Sequence, residues 1–307
     1  SHMQTFLIVD GNGLIHRAYH ALPEFTTKDG KHTNAVYGFA SIMHKTIAEI
    51  APAFIAVCFD TKAPTFRDKL YKEYRIQRPE IKEELKSQFP YVKEFLTASG
   101  IFNIEKDGLE ADDLIGIIAT ISAKKNLKTI ILSGDKDMMQ LINETVYVLT
   151  PQLGFGKAKL YTSEEVKKTF GVSPEQIADY KALAGDSSDN YKGVTGIGPK
   201  GAVMLLNRFK TLEGIYAHLH EIESERMKKS LETFKKNALL SKELATILTK
   251  DHVGFSIDDA KFEGYNEQLH QFFEKFEFAS LESRFFPKQK KTVPAVKKIE
   301  DSQDSLF

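Results

Sequence analysis

Thr129-Ile130-Ile131-Leu132-Ser133-Gly134-Asp135-Lys136-Asp137 runs from a short apolar stretch of strand length directly into two aspartates. The same arrangement recurs at Val9-Asp10 and Phe59-Asp60, where the apolar runs 5–9 and 54–59 end on an acid. A fourth run lies at 146–149, and amphipathic helix patterns separate the four. Strand-length runs alternating with helical periodicity predict βαβ units and a mainly parallel sheet. In such a sheet, ligands bind outside the carboxyl ends of the strands, so the three acidic ends are expected on one rim.

Other acids extend this set. Glu110-Ala111-Asp112-Asp113 opens a helix pattern over 111–123, and Gly185-Asp186-Ser187-Ser188-Asp189-Asn190 is a polar turn. Any one of these acids suits a turn or a helix cap. Glu110, Asp112 and Asp113 together exceed what capping one helix needs. If Asp10, Asp60, Glu110, Asp112, Asp113, Asp135, Asp137, Asp186 and Asp189 converge, their repulsion raises their pKa values unless cations neutralise them. An all-oxygen set favours magnesium or manganese over zinc. Two such ions, roughly 3.5–4 Å apart, suit phosphodiester hydrolysis.

Two basic stretches complement the acids. Gly193-Val194-Thr195-Gly196-Ile197-Gly198-Pro199-Lys200 precedes an apolar helix pattern and reads as a helix–hairpin–helix. Its exposed amides at Gly196 and Gly198, with Lys200 at the helix start, suit DNA phosphate. From Lys62 to Arg78, the basic residues Lys62, Arg67, Lys69, Lys72, Arg75 and Arg78 interleave with Phe66, Tyr71 and Tyr74. Cations on a backbone and rings under bases suit a single-stranded end. A solvated helix with a partly buried aromatic face is the alternative.

Composition bounds the rest. A chain of 307 residues predicts a main domain and a smaller module. Lys plus Arg and Asp plus Glu both number 42, so any attraction to nucleic acid must come from local segregation of charge. Cys58, the one cysteine, lies in an apolar run and supports neither a disulfide framework nor a cysteine metal site, which fits a reducing cytoplasm. No apolar stretch reaches the roughly 18 residues of a spanning helix. Ser1-His2-Met3 reads as a tag remnant, and the lysine-rich composition from Phe286 onward predicts a disordered linker over 286–302.

The motifs at Val9–Asn12, Phe59-Asp60, Thr65–Arg67, Tyr74–Arg78, Glu110–Asp113, Gly134–Asp137, Gly185–Asn190 and Gly193–Gly198 resemble, in order and spacing, those of the bacterial and phage 5′-nucleases. That family includes the flap endonucleases and the amino-terminal nuclease domain of bacterial DNA polymerase I. The likeness spans about Phe6 to Phe285. It implies an α/β fold with a PIN-like nuclease core over 4–180, a helical arch at about 62–90, and a helix–hairpin–helix region over 181–285 that grips duplex DNA with a monovalent cation, K+. By the same analogy, Asp60, Glu110 and Asp112 belong mainly to a first metal site and Asp137, Asp186 and Asp189 to a second. Asp10, Asp113 and Asp135 bridge or act through waters.

The resemblance further implies a monomeric DNA nuclease of replication or repair, associated with the nucleoid and acting on branched or flapped DNA with Mg2+ or Mn2+. Arg17, Arg75 and Arg78 are the candidates for holding the scissile phosphate and the 5′ end, with Lys69, Lys72, Tyr74, Gly196, Gly198 and Lys200 as DNA contacts. Two positions depart from the family. Arg75 stands where a lysine is usual, and Tyr191-Lys192 replaces an apolar residue and proline, which points to a stand-alone branch. A PIN-type ribonuclease and a catalytically lapsed adaptor are the competing readings. The last five residues, Gln303-Asp304-Ser305-Leu306-Phe307, resemble the peptide by which bacterial replication proteins bind the sliding clamp. Gln303, Leu306 and Phe307 are its expected anchors, at what reads as the natural end of the chain.

Overall fold

The computed structural model describes residues 2–151 and 158–288. Its centre is a six-stranded sheet of β1 (Thr5–Asp10), β2 (Phe54–Phe59), β3 (Phe102–Glu105), β4 (Lys128–Leu132), β5 (Val146–Thr150) and β6 (Lys159–Tyr161). The order is β3-β2-β1-β4-β5-β6, parallel throughout except for the antiparallel edge strand β6. The chain builds outward from β1 through β2 to β3, then crosses back to pair β4 on the other side of β1. That reversal opens a crevice at the carboxyl ends of β1 and β4.

Alternation along the strands feeds a core on each face. From β1, Phe6 and Ile8 enter one cluster and Leu7 and Val9 the other. The Phe6 face is covered by the helix Ala111–Lys124 and by residues of the carboxyl-terminal helices, including Leu183, Leu205 and Leu231. On the Leu7 face lie the helices Gly11–Ala21, Asn34–Ile50 and Phe89–Ser99, joined by Phe272, Phe273 and Phe285 from Gln268–Lys275 and Ala279–Phe285. The last helices therefore return to the first strands. Phe286, placed in the linker by composition, stacks on His270 with ring centroids 3.9 Å apart. The expected arch, 62–90, is helical at Phe66–Leu70 and Glu83–Lys86 and at the start of Phe89–Ser99, with turns and extended chain between.

Gly11 explains how tightly the first helix starts. A Cβ there would stand 2.5 Å from a ring carbon of Phe59, so the helix is drawn against the end of β2 and Asp10 is held at its cap. No helix among the described residues is long and apolar enough to cross a membrane.

Candidate active site

Local capping fixes most of the acids. Asp10 ends β1 and caps the helix behind it, accepting from Gly13 N at 3.0 Å, while its other oxygen accepts from Ser133 Oγ at 2.9 Å. Asp135 caps the 3₁₀ turn Lys136–Leu141 through Asp137 N, 2.9 Å away. Asp60 follows β2 and accepts from Ala111 N at 2.6 Å, which ties the end of β2 to the helix carrying Asp112. The polar turn 185–190 brings Asp186 and Asp189 over the rim. Asp186 turns on its own loop through Ser188 N at 2.9 Å and Ser188 Oγ at 2.6 Å.

Two carboxylate triads result. One oxygen each from Asp112, Asp135 and Asp137 lies within 4.8 Å of the others, and so do oxygens from Asp137, Asp186 and Asp189. Asp137 is common to both. The second triad contains the residues expected in the second site. The first contains Asp112 but neither Asp60, which accepts from Ala111 N, nor Glu110, which arginines hold.

Burial and mutual repulsion make this rim costly without cations. Burial pushes Asp10 up to about 6, with Asp135 and Asp60 adding to the rise. Asp112 is held well above the usual carboxylate range by burial and by Asp135 and Asp10. Asp135 and Glu110 are also raised by burial, although Lys181 opposes the rise at Asp135 and Arg67 and Arg75 oppose it at Glu110. At Asp186 burial is outweighed by the Lys181 and Ser188 hydrogen bonds, and its pKa falls. Asp112 accepts no hydrogen bond from a described residue. Clustered carboxylate oxygens, one of them without a donor, fit a hard divalent cation.

Asp113 has a different environment from its neighbours. Its oxygens accept from Arg67 Nη1 at 2.7 Å, Arg67 Nη2 at 2.9 Å, Glu110 N at 3.2 Å and Leu248 N at 3.0 Å. Four donors fill the carboxylate's four acceptor positions, so Asp113 faces away from the triads and anchors Arg67. Arg67, 3% exposed, also donates to Glu110 at 2.5 Å and to the carbonyls of Leu244 and Thr246, each at 2.8 Å. This node pins the start of the 62–90 segment to the rim.

Arg75 and Arg78 pair with the acids. Arg75 has φ 57° and bridges Glu110 at 2.6 Å and Asp189 at 3.1 Å, while Arg78 reaches Asp189 at 2.5 Å. Arg17 lies beside the β4 loop, its Nη1 2.9 Å from where a Cβ on Gly134 would sit. Tyr74 departs from expectation. It is 6% exposed, its hydroxyl donates to Glu110 at 3.2 Å, and Arg75 covers its ring at 4.9 Å, so no face is free for a base. Lys69 and Lys72 are exposed. Gly196 (φ 93°) and Gly198 are exposed at the hairpin, and Lys200 lies in the first turn of the helix Pro199–Phe209. Gln303, Leu306 and Phe307 lie outside the described residues. Motif reading missed Arg67's anchoring role and Lys181, whose ammonium contacts both Asp137 and Asp186.

The family model for the 5′-3′ exonuclease N-terminal resolvase-like domain matches residues 5–171, and that for the 5′-3′ exonuclease C-terminal SAM fold matches 172–268. The chain belongs to the 5′-3′ exonuclease family. As a member it is a nuclease, a hydrolase. It is 36% identical over 280 residues to the 5′-3′ exonuclease of Aquifex aeolicus, covering 91% of this chain and 94% of that one. It is 40% identical over 282 residues to DNA polymerase I of Bacillus subtilis, covering 92% of this chain and 32% of the relative. The nuclease thus spans about a third of the length of the polymerases it matches. In fold it is similar to a zinc-bound T5 5′-exonuclease, at TM-score 0.66 and 22% identity over 89% of this chain and 98% of that one. It is also similar to the catalytic core of Rad2 in complex with DNA substrate, at TM-score 0.60 and 16% identity over 92% of each chain.

Proposed function

We propose that this nuclease is a structure-specific 5′-nuclease, with 5′-3′ exonuclease and flap endonuclease activity, that hydrolyses DNA phosphodiesters with two divalent cations. The observation that carries the reading is the pair of carboxylate triads sharing Asp137 at the switch point of the sheet. Asp112, Asp135 and Asp137 would hold one magnesium or manganese ion, and Asp137, Asp186 and Asp189 the other, with Asp10, Asp60 and Glu110 around them. When bound, such ions activate water and stabilise the leaving oxygen. The T5 exonuclease structure named with divalent metal ions and the Rad2 core named with DNA support both halves of the reading.

The chain's own residues place the substrate. Arg75 and Arg78 exchange their carboxylate partners for the phosphate beside the scissile bond, and Arg17 holds its neighbour. Arg75 keeps the charge of the family's usual lysine but presents it as a planar fork. A cleft of about 410 Å³, lined by Asp60, Lys62, Thr65, Arg75 and Glu110, opens beside the cluster and suits a nucleotide at the 5′ end. Lys69 and Lys72 follow the single strand. Gly196, Gly198 and Lys200 grip duplex phosphate, with a potassium ion at the hairpin. Gln303, Leu306 and Phe307 recruit the enzyme to a sliding clamp, since an apolar pair on a lysine-rich segment suits a partner's pocket.

An end-labelled 5′ flap tests the activity. Cleavage near the junction that requires magnesium and is slower on a matched RNA flap is expected; metal-independent cutting, or preference for RNA, overturns the reading. For the recruitment, deleting residues 303–307 removes clamp binding in a pull-down and leaves cleavage of naked flaps unchanged. Undiminished clamp binding by the truncated protein refutes that assignment.

A further inference from the structure

The two triads differ in what already neutralises them. In the first, neither Asp112 nor Asp135 forms an ion pair among the described residues. In the second, every carboxylate is paired: Lys181 contacts Asp137 and Asp186, the latter at 2.7 Å, and Arg75 and Arg78 hold Asp189. Lys181 is 16% exposed and projects from the helix Ile177–Ala184, which ends just before the turn carrying Asp186. Its Nζ touches two of the three carboxylates that would ligate the second ion. A divalent cation ligated by them, at roughly 2.0–2.1 Å for magnesium, would stand against the ammonium. Two cations in contact inside a partly buried site repel strongly. The ammonium and the second ion therefore exclude each other.

We infer that Lys181 is a displaceable internal cation that fills the second metal position in the metal-free enzyme and makes metal loading ordered. This rests on the two-ion reading above and adds to it. The first ion enters the triad of Asp112, Asp135 and Asp137, where Lys181 engages only the shared Asp137 and leaves the other two carboxylates unpaired among the described residues. The second binds only as Lys181 swings out, so its affinity is lowered by the stability of the lysine's own ion pairs. A lysine suits this exchange, being a compact point charge on a flexible four-carbon stem. The alternative is a purely structural tie in which Lys181 holds the turn 185–190 in place for metal binding, and it has the opposite consequence: removing the lysine would weaken the second site.

Manganese titration of the full chain, followed by calorimetry with the bound ions counted by electron paramagnetic resonance, separates these. Wild type is expected to bind two ions unequally. In Lys181→Met the weaker event tightens by tenfold or more while the tighter event shifts less than about threefold, and Lys181→Arg leaves the second event weak. The metal-free Lys181→Met protein melts below wild type, and saturating manganese restores it. Lys181→Gln, which keeps a polar head, repeats the tightening should the methionine variant fold poorly. A second event unchanged or weakened in both neutral variants, with two ions still counted, overturns the role of Lys181 alone. A single ion in wild type and variants alike overturns the two-ion reading, and this inference with it.

Discussion

Asp112 and Asp113 are adjacent acids with opposite surroundings, and this makes them the sharpest residue-scale test. Asp112 faces other carboxylates and has no donor among the described residues, whereas Asp113 saturates itself on Arg67 and two backbone amides. Asp112→Asn is expected to abolish metal-dependent cleavage while leaving the metal-free melting temperature equal or higher. Asp113→Asn leaves buried Arg67 under-compensated and costs about 3 kcal/mol of stability, with metal affinity changed little. Thermal melts beside manganese titrations check both, and a large stability loss in the Asp112 variant would reverse the assignments.

Asp10 carries a pH dependence of its own. Its carboxyl is raised to about 6 in the folded chain from 3.8, so the fold binds this proton more tightly than the unfolded chain does. The resulting stability is present in full below about pH 4 and is lost as pH rises through about 6. Asp10→Asn keeps the cap but removes the charge. Without metal, the variant should therefore gain on wild type as pH rises from 4 to 7, by on the order of 3 kcal/mol at most. Melting scans in a chelator measure this difference, and an advantage confined to low pH would contradict it.

At the scale of elements, the rim was legible and its counter-ions were not. Parallel strands buried on both faces read as unbroken apolar runs, so β1, β2 and β4 and the acids that end them were visible in order. β3, Phe-Asn-Ile-Glu, is four residues long and only half-buried at the sheet edge, and the three-residue β6 is mostly exposed; neither shows a strand's pattern. Lys181 and Arg67 meet acids more than forty residues away, at Asp137 and at Glu110 and Asp113, and no local spacing records such a pairing. Tyr74 misled for a related reason: a ring among cations suits base stacking, but its burial depends on Leu244, Ala245 and Tyr191. The hairpin carries its own prediction. Lys200→Ala should weaken duplex binding and reduce the salt slope by about one unit, since one phosphate contact is lost; an unchanged slope would remove the hairpin from the interface.

Across the whole molecule, the segment 185–198 joins the acidic rim to the hairpin. One end supplies Asp186 and Asp189 to the second triad, and the other forms the hairpin at Gly196 and Gly198. A duplex gripped at the hairpin thus lies within one loop of the acids that would cut it. The central claim of this arrangement is that two divalent ions share Asp137 at the sheet's switch point. Anomalous diffraction from crystals soaked in manganese tests it most directly. Two peaks are expected, one among Asp112, Asp135 and Asp137 and one among Asp137, Asp186 and Asp189; a single peak, or ions bound away from Asp137, would contradict the account.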